Sequence, residues 1–420
     1  MSSIKKLDHL FGMLPNPKTE SWKYTNIKKF LPNDLLTTVD AEYKNLDSKT
    51  INKNILSVNS PFKMWFKNDH FDKQESILPK GVSVKKISPN NVDHSGFYFN
   101  ENGDDYNDKI IPSKLFKNQE EHDNFLKINN QAHKNCYLIE FERGFNCNEF
   151  IEINSLFNSL DSSLNQQRLL FLIHPKANVK LLEQVFDHSN KTNLHHSVSE
   201  FICLKDSLVE HVWVQQAIQN SCTVKTNYTI QKNSSQTNFY NLSLNGKMIR
   251  NNYHVNLLET SSSTKIHGFS CIKNSDHIDN YINVMHSAED CKSSQLFKNL
   301  FTDNSSGVFV GGIYVDKDSQ KTEAYQQNDN ILLSEGAQID AIPKLEIFAD
   351  DVMCSHGCTI GQPDVDAIFY LQSRGISKKD AQALLNFAFL NDTFKDISCD
   401  KLKNIIIQLV SKQLNLKNNS

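Results

Sequence analysis

From residue 133 to about residue 361 the chain keeps one local pattern: short β-branched and aromatic runs, each closed by Ser, Asn, Asp or Gly. Tyr137, Ile139 and Phe141 alternate with Leu138, Glu140 and Glu142. Further runs fall at Thr223 to Gln231, Thr237 to Leu244, Tyr253 to Leu257, Lys265 to Phe269 and Tyr281 to His286. Period-two alternation ended by turn residues predicts strands. No helical pattern long enough for a strand–helix–strand crossover interrupts them, which leaves a sandwich, a barrel or a β-solenoid. About 230 residues of short strands is large for one sandwich. A parallel solenoid grows coil by coil, each coil burying its inward residues on the next. Size therefore favours the solenoid, although no strict repeat shows in the sequence.

The flanks follow another period. Residues 1–132 read as a mostly helical region, with Ile4, Leu7, Leu10 and Phe11 on one helical face and a second helix around Phe125 and Ile128. Residues 362–420 read as a second helical region. Asp364 caps a helix through Gln372, with Gly375 as its stop. Ser377 and Asp380 open a helix from Ala381 to Leu390, with Leu384, Leu385, Ala388 and Phe389 as its apolar face. A last helix spans Ser398 to Leu414, with Leu402, Ile405, Ile406, Leu409 and Val410 as its stripe. Such faces either pack on the chain's own core or dock a partner.

Composition narrows the function classes. With 45 basic and 48 acidic residues the net charge is −3, which excludes a strongly basic nucleic-acid binder. No window supplies the roughly 18 apolar residues of a membrane span. The start, MSSIKKLDHLFGML, lacks the continuous apolar run of a secretory signal, so a cytoplasmic location is expected, or an organelle interior if a leader was removed. The nine cysteines are scattered and contain no CxxC pair, as for free thiols in a reducing compartment. Glycine is scarce (14) and asparagine abundant (48). Asparagine tolerates the left-handed backbone region and is expected to take over some turn positions.

The densest chemical cluster is Asp350-Asp351-Val352-Met353-Cys354-Ser355-His356-Gly357-Cys358. In an extended strand, residues two apart share a face, which aligns Cys354, His356 and Cys358 at spacings of about 6.5–7 Å. A thiolate and an imidazole on one face suit a soft metal or an iron–sulfur unit. Asp350 and Asp351 are candidates to orient the imidazole from behind. Three ligands on one strand rarely enclose a metal, so a second element or a second chain must complete the set. A buried cysteine beside a hydrogen-bonded histidine is the competing structural reading. Elsewhere, His195-His196 reads as a solvated strand end, and His254 and His267 as satisfied strand histidines. His286 with Glu289, Asp290 and Cys291 forms a weak metal pattern, and the glycines from Gly307 to Gly312 read as strand turns rather than a phosphate loop.

At these residues a resemblance enters. Lys344 to Gly357, Thr359-Ile360-Gly361 and Ala367 to Ile376 together closely resemble the SufB/SufD family, and the Cys-Ser-His-Gly element resembles its SufD branch. Glu20-Ser-Trp-Lys-Tyr-Thr25, Arg250-Asn251, Phe297 to Phe301 and Lys321 to Asn328 agree with it. The resemblance implies a right-handed parallel β-helix flanked by N-terminal and C-terminal helical regions. It implies a non-catalytic scaffold for iron–sulfur cluster assembly, paired with SufB through the β-helix ends and coupled to the ATPase SufC through the C-terminal helical region. For that docking, Phe369, Tyr370, Leu371, Arg374, Leu384 and Leu385 are the candidate contacts. His356 is implied at the nascent cluster, with Cys354 a second participant and Cys358 an extra thiol where the family commonly has a small residue. The cluster is expected only transiently, at the SufB interface, and not in the isolated chain, which has a free solenoid edge able to pair with a second copy. The alternative from fold alone is a secreted-type β-solenoid carbohydrate-active enzyme, which the missing signal disfavours.

Overall fold

The computed structural model describes residues 12–32, 35–37, 56–87, 124–132, 135–217 and 220–414. The predicted face of Ile4, Leu7, Leu10 and Phe11 lies outside them. Two ten-stranded sheets take strands alternately from the chain. Sheet one runs through β19 (Gln338–Ile347), β17 (Ser306–Val315), β15 (His277–His286), β13 (Met248–Leu257) and β11 (Cys222–Gln231). It continues through β9 (Leu194–Cys203), β7 (Ser163–Ile173), β5 (Cys136–Phe141) and β4 (Val82–Ile87), with β1 (Leu36–Thr37) beside β7. Sheet two runs through β20 (Val352–Gly361), β18 (Thr322–Leu332), β16 (Lys292–Phe301), β14 (Ser263–Ile272) and β12 (Gln236–Ser243). It ends with β10 (Leu208–Ala217), β8 (Asn178–Asp187), β6 (Ile151–Phe157), β2 (Lys63–Lys67) and β3 (His70–Phe71). β4 pairs with β5 antiparallel, but every pairing among β5 to β20 is parallel, so the chain is a parallel β-solenoid with two strands per coil.

The hidden repeat is now visible. Stacked partners are 26 residues apart between Cys222 and Met248 and 32 apart between Cys136 and Arg168. Lys176, Asp206, Ser234, Ser261, Asp290 and Lys321 form one row of left-handed corner residues. Each donates its backbone N–H to the next coil: Lys176 to Lys205 O, Asp206 to Asn233 O, Ser234 to Thr260 O, Ser261 to Glu289 O, Asp290 to Gln320 O and Lys321 to Asp351 O. The corner conformation repeats while the residue type does not. The asparagine expectation fails in this row and holds for three of the eleven left-handed non-glycine positions among the described residues, Asn59, Asn68 and Asn274. More asparagines serve inside, as in the hydrogen bonds Asn251–Asn280 at 2.9 Å and Asn299–Asn330 at 2.8 Å. Pairing asparagines between rungs satisfies buried amides that would otherwise cost stability.

The interior stacks like on like. Phe171 and Phe201 lie parallel with ring centroids 4.5 Å apart. Deeper in, Glu183 of sheet two bonds Lys225 of sheet one and His211, and Lys225 also bonds Ser199 at 2.7 Å and lies over the Trp213 ring. Burial alone would raise the Glu183 carboxyl, but Lys225 and then His211 outweigh it and hold it at about 2.

Both outer faces are covered near the middle. The segment carrying Glu20 to Thr25 lies against sheet one: Trp22 stacks on Phe125 and takes the Arg250 guanidinium over its ring at 4.0 Å. Thr25 Oγ1 donates to Asp279 Oδ2 at 2.5 Å, Arg250 pairs with the same carboxylate, and His277 Nε2 lies 2.9 Å from Thr25 Oγ1. Two motifs far apart in the sequence thus meet. Phe125 and Ile128 sit on helix α1 (Asn124–Ala132), as expected. The 56–87 segment departs from the helical expectation: Met64, Trp65 and Phe66 are buried, and β2 and β4 extend the two sheets.

On sheet two, Tyr240, Leu242, Phe269 and Leu300 meet Leu402, Ile406 and Val410 of α4 (Asp400–Gln413). The last predicted stripe is therefore core. Before it come α2 (Val365–Ser373), capped by Asp364, and α3 (Lys378–Asn391), capped by Ser377. Gly375 adopts a φ of +87° just after α2, the left-handed stop expected there.

Candidate functional site

Among the described residues β20 is the last strand of sheet two, and it pairs on one side only, with β18. Its register sets Cys354, His356 and Cys358 opposite Ala324, Gln326 and Asn328. Those three β18 residues are buried in the solenoid. Cys354, His356 and Cys358 therefore continue the inward row, with no coil above them. Cys354 is half-buried, and His356 and Cys358 are exposed. The expected alignment of the three side chains on one face is the one the register gives.

The local sequence fits this place. A Cβ at Gly357 would lie 2.1 Å from Gln327 Oε1, so a larger residue would push aside that amide, which donates to Asp329 Oδ1 at 2.6 Å. Cys354, like Leu345 and Val352, packs against the small buried cluster of Ile313, Val315, Ala324 and Ala349. Burial raises its thiol pKa, against a partial offset from the Ala324 backbone N–H. Burial and then Asp329 raise the Cys358 thiol, whose Sγ lies 3.8 Å from Asn328 Oδ1. Both thiols therefore favour the protonated form at neutral pH, and a bound metal ion would have to displace their protons. Among the described residues no group of three His, Cys, Asp or Glu side chains is close enough to hold a metal ion. The row presents ligands without enclosing them.

The structure does not bring the two aspartates to the imidazole. Asp351 is exposed in the turn before β20, its backbone tied to Gln320 and Lys321. Five residues of strand put it roughly 16 Å along the chain from His356. Asp350, one residue further, is exposed too. The candidate docking residues fall on α2 and α3. Phe369 is 70% exposed, Tyr370 55% and Leu384 43%, while Leu371 and Leu385 are half-buried. Arg374 lies over the Tyr370 ring at 4.7 Å. These helices extend an uncovered apolar surface just after the open end.

Other histidines separate from the site. His195 and His196 are buried rather than solvated: His195 bonds Asp187 at 2.8 Å and His196 bonds Gln166 at 2.9 Å. His196 lies under Phe125 of α1, and His195, on the other face of the strand, lies against Phe157 of β6, both long-range contacts that a strand-end reading does not contain. His254 and His267 are buried in strands, as expected. His286 is buried with Ser293 at 2.9 Å, and forms no metal cluster with Glu289, Asp290 and Cys291. The glycines from Gly307 to Gly312 lie inside β17, not in turns: a Cβ at Gly307 would meet the Phe301 ring at 2.3 Å. They are missing side chains that admit neighbours.

The model of the SUF-system iron–sulfur cluster assembly SufBD core domain matches residues 156–389, more than half of the chain. The chain belongs to the SufBD core family. The family region takes in the coils from the end of β6 to the last strand, together with α2 and nearly all of α3, and it sets aside the carbohydrate-active alternative. An iron–sulfur cluster assembly protein SufD of Escherichia coli is 34% identical over 171 residues, 41% of this chain and 40% of that protein. A SufBD family protein of Synechocystis is 29% identical over 254 residues, 59% of this chain and 56% of that protein. A SufD of Plasmodium berghei is 24% identical over 348 residues, 81% of this chain and 25% of that protein. The chain thus spans about half or less of the length of these SufBD relatives. No helix among the described residues is long and apolar enough to cross a membrane.

Proposed function

We propose that this chain is a non-catalytic scaffold subunit of the SUF system, of the SufD kind, on which a nascent iron–sulfur cluster is built at a subunit interface. The observation that supports this most is the placement of His356: exposed, on the one-sided last strand, in line with the half-buried thiol of Cys354. An imidazole and a thiol supply two ligands of the kind iron accepts. SufB, docking on the β19–β20 end, would supply the rest and cover the open strand edges, which are otherwise prone to pair with a second copy of the chain. SufC, the ATPase, would dock on the α2–α3 surface around Phe369, Tyr370 and Leu384, which follows β20 in the chain, so that its motion is transmitted to this end of the solenoid. Cys358 is held as a spare thiol, and Asp350 and Asp351 have no direct part.

The test is anaerobic reconstitution of the complex with SufB and SufC, with cluster formation read by absorbance. His356→Ala is expected to lose most of the cluster while the complex still forms, Cys354→Ser to lose part and Cys358→Ala little. Wild-type yield from His356→Ala would remove the histidine from the mechanism.

A further inference from the structure

The buried row behind His356 carries a chain of amides whose polarity is dictated from one end. Gln295 Nε2 donates to the backbone carbonyl of Gly312 at 3.2 Å. A carbonyl oxygen only accepts, so Gln295 must present its NH2 group there and its Oε1 to the next coil. Gln326 Nε2 donates to that Oε1 at 2.8 Å. Gln326 must therefore turn its own Oε1 away from Gln295. That oxygen is buried without a hydrogen-bond partner, on a side chain only 3% exposed. The residue in register with Gln326 on the next and last strand is His356. Adjacent strands are about 4.8 Å apart, within reach of a small ring rotation. The opposite sheet leaves the amide its space: a Cβ at Gly311 would sit 2.4 Å from Gln326 Nε2.

We propose that Gln326 is the positioning residue for His356: its Oε1 accepts the N–H of the nearer ring nitrogen, fixes the tautomer, and leaves the other nitrogen's lone pair directed out of the solenoid end. Histidines that bind metal commonly donate their second N–H to a carbonyl or carboxylate in this way. Gln295 acts one step further back, by setting which end of the Gln326 amide faces the ring. The orienting role stands on the geometry; its use in cluster assembly rests on the function proposed for His356.

The test uses the full chain with 15N-labelled histidine, the His356 signals being identified by their loss in His356→Gln. The nitrogen shifts at pH 8 report the tautomer ratio. One tautomer is expected to dominate in the wild type by about fivefold more than in Gln326→Met, which removes the acceptor at nearly constant length. Gln295→Leu, which touches no atom of His356, is expected to mix the tautomers as well, because it frees the Gln326 amide to flip. An unmoved ratio in folded Gln326→Met, or in Gln295→Leu where the first variant fails to fold, overturns the proposal. Reconstitution with SufB and SufC separates the two readings. Full cluster yield from His356→Ala with a shifted tautomer ratio in Gln326→Met would sink the functional reading alone. Lost yield with an unmoved ratio would sink the orienting role alone.

Discussion

Gly311 carries the constraint of a whole coil in one absent methyl group. The space its Cβ would take belongs to the Gln326 amide, 2.4 Å away. Gly311→Ala is expected to destabilise the fold by about 1–3 kcal/mol through overpacking, read as a lower denaturation midpoint. His267 and His286 carry a pH term of definite sign. Burial, then Lys265, brings His267 from 6.5 to about 4, and burial brings His286 to about 3. Both are neutral in the fold and take up a proton on unfolding below pH 6.5, so their contribution is full above that value and falls as the pH drops toward 4 and 3. At pH 5 each is expected to cost about 2 kcal/mol relative to pH 7. His286→Gln should shrink the difference in unfolding free energy between the two pH values, read from denaturant titrations, by about that much; an unchanged difference would contradict this account.

Among the elements, α2 and α4 both carry large apolar side chains, and the fold places them differently. Ile406 of α4 is fully buried against sheet two, and Ile406→Ala is expected to cost about 2–5 kcal/mol. Phe369 of α2 is 70% exposed. Phe369→Ala should leave the melting temperature within a degree or two and weaken SufC binding in a pull-down or titration, because surface substitutions usually change stability by roughly 0.5 kcal/mol or less. The strands that end the solenoid differ too. β19 carries Pro343, which has no backbone donor, whereas β20 has an uninterrupted set and presents the Cys354–His356 row.

Across the whole molecule, the two sheets are tied by charge as well as by apolar stacking. Glu183 on β8 and Lys225 on β11 form a fully buried pair across the interior, with His211 as third member. Lys225→Met strands a buried carboxylate and is expected to cost about 3–5 kcal/mol, while Lys225→Met with Glu183→Gln should recover much of that loss. Thermal unfolding of the single and double variants checks both expectations. No recovery in the double variant would mean that packing around Trp213, rather than charge, sets the cost.

How much of this was legible follows from the range of each interaction. The strand pattern, the capped helices after Gly361 and the shared face of Cys354, His356 and Cys358 are local, set by side-chain alternation and backbone preference within a few residues. Those the sequence determined by itself, and the resemblance carried by the Lys344–Ile376 block agrees with the family found. The coil length, the burial of His195 and His196, the meeting of Trp22 with Arg250 and the amides behind His356 were not legible. Most of these depend on residues 26 to 254 positions apart, brought together by the parallel register, as for Cys222 on Met248, or by the docking of the N-terminal segment, as for Thr25 and Asp279. Only tertiary structure decided them, because a solenoid corner fixes a backbone conformation that several residue types can adopt, and the sequence records the type and not the conformation.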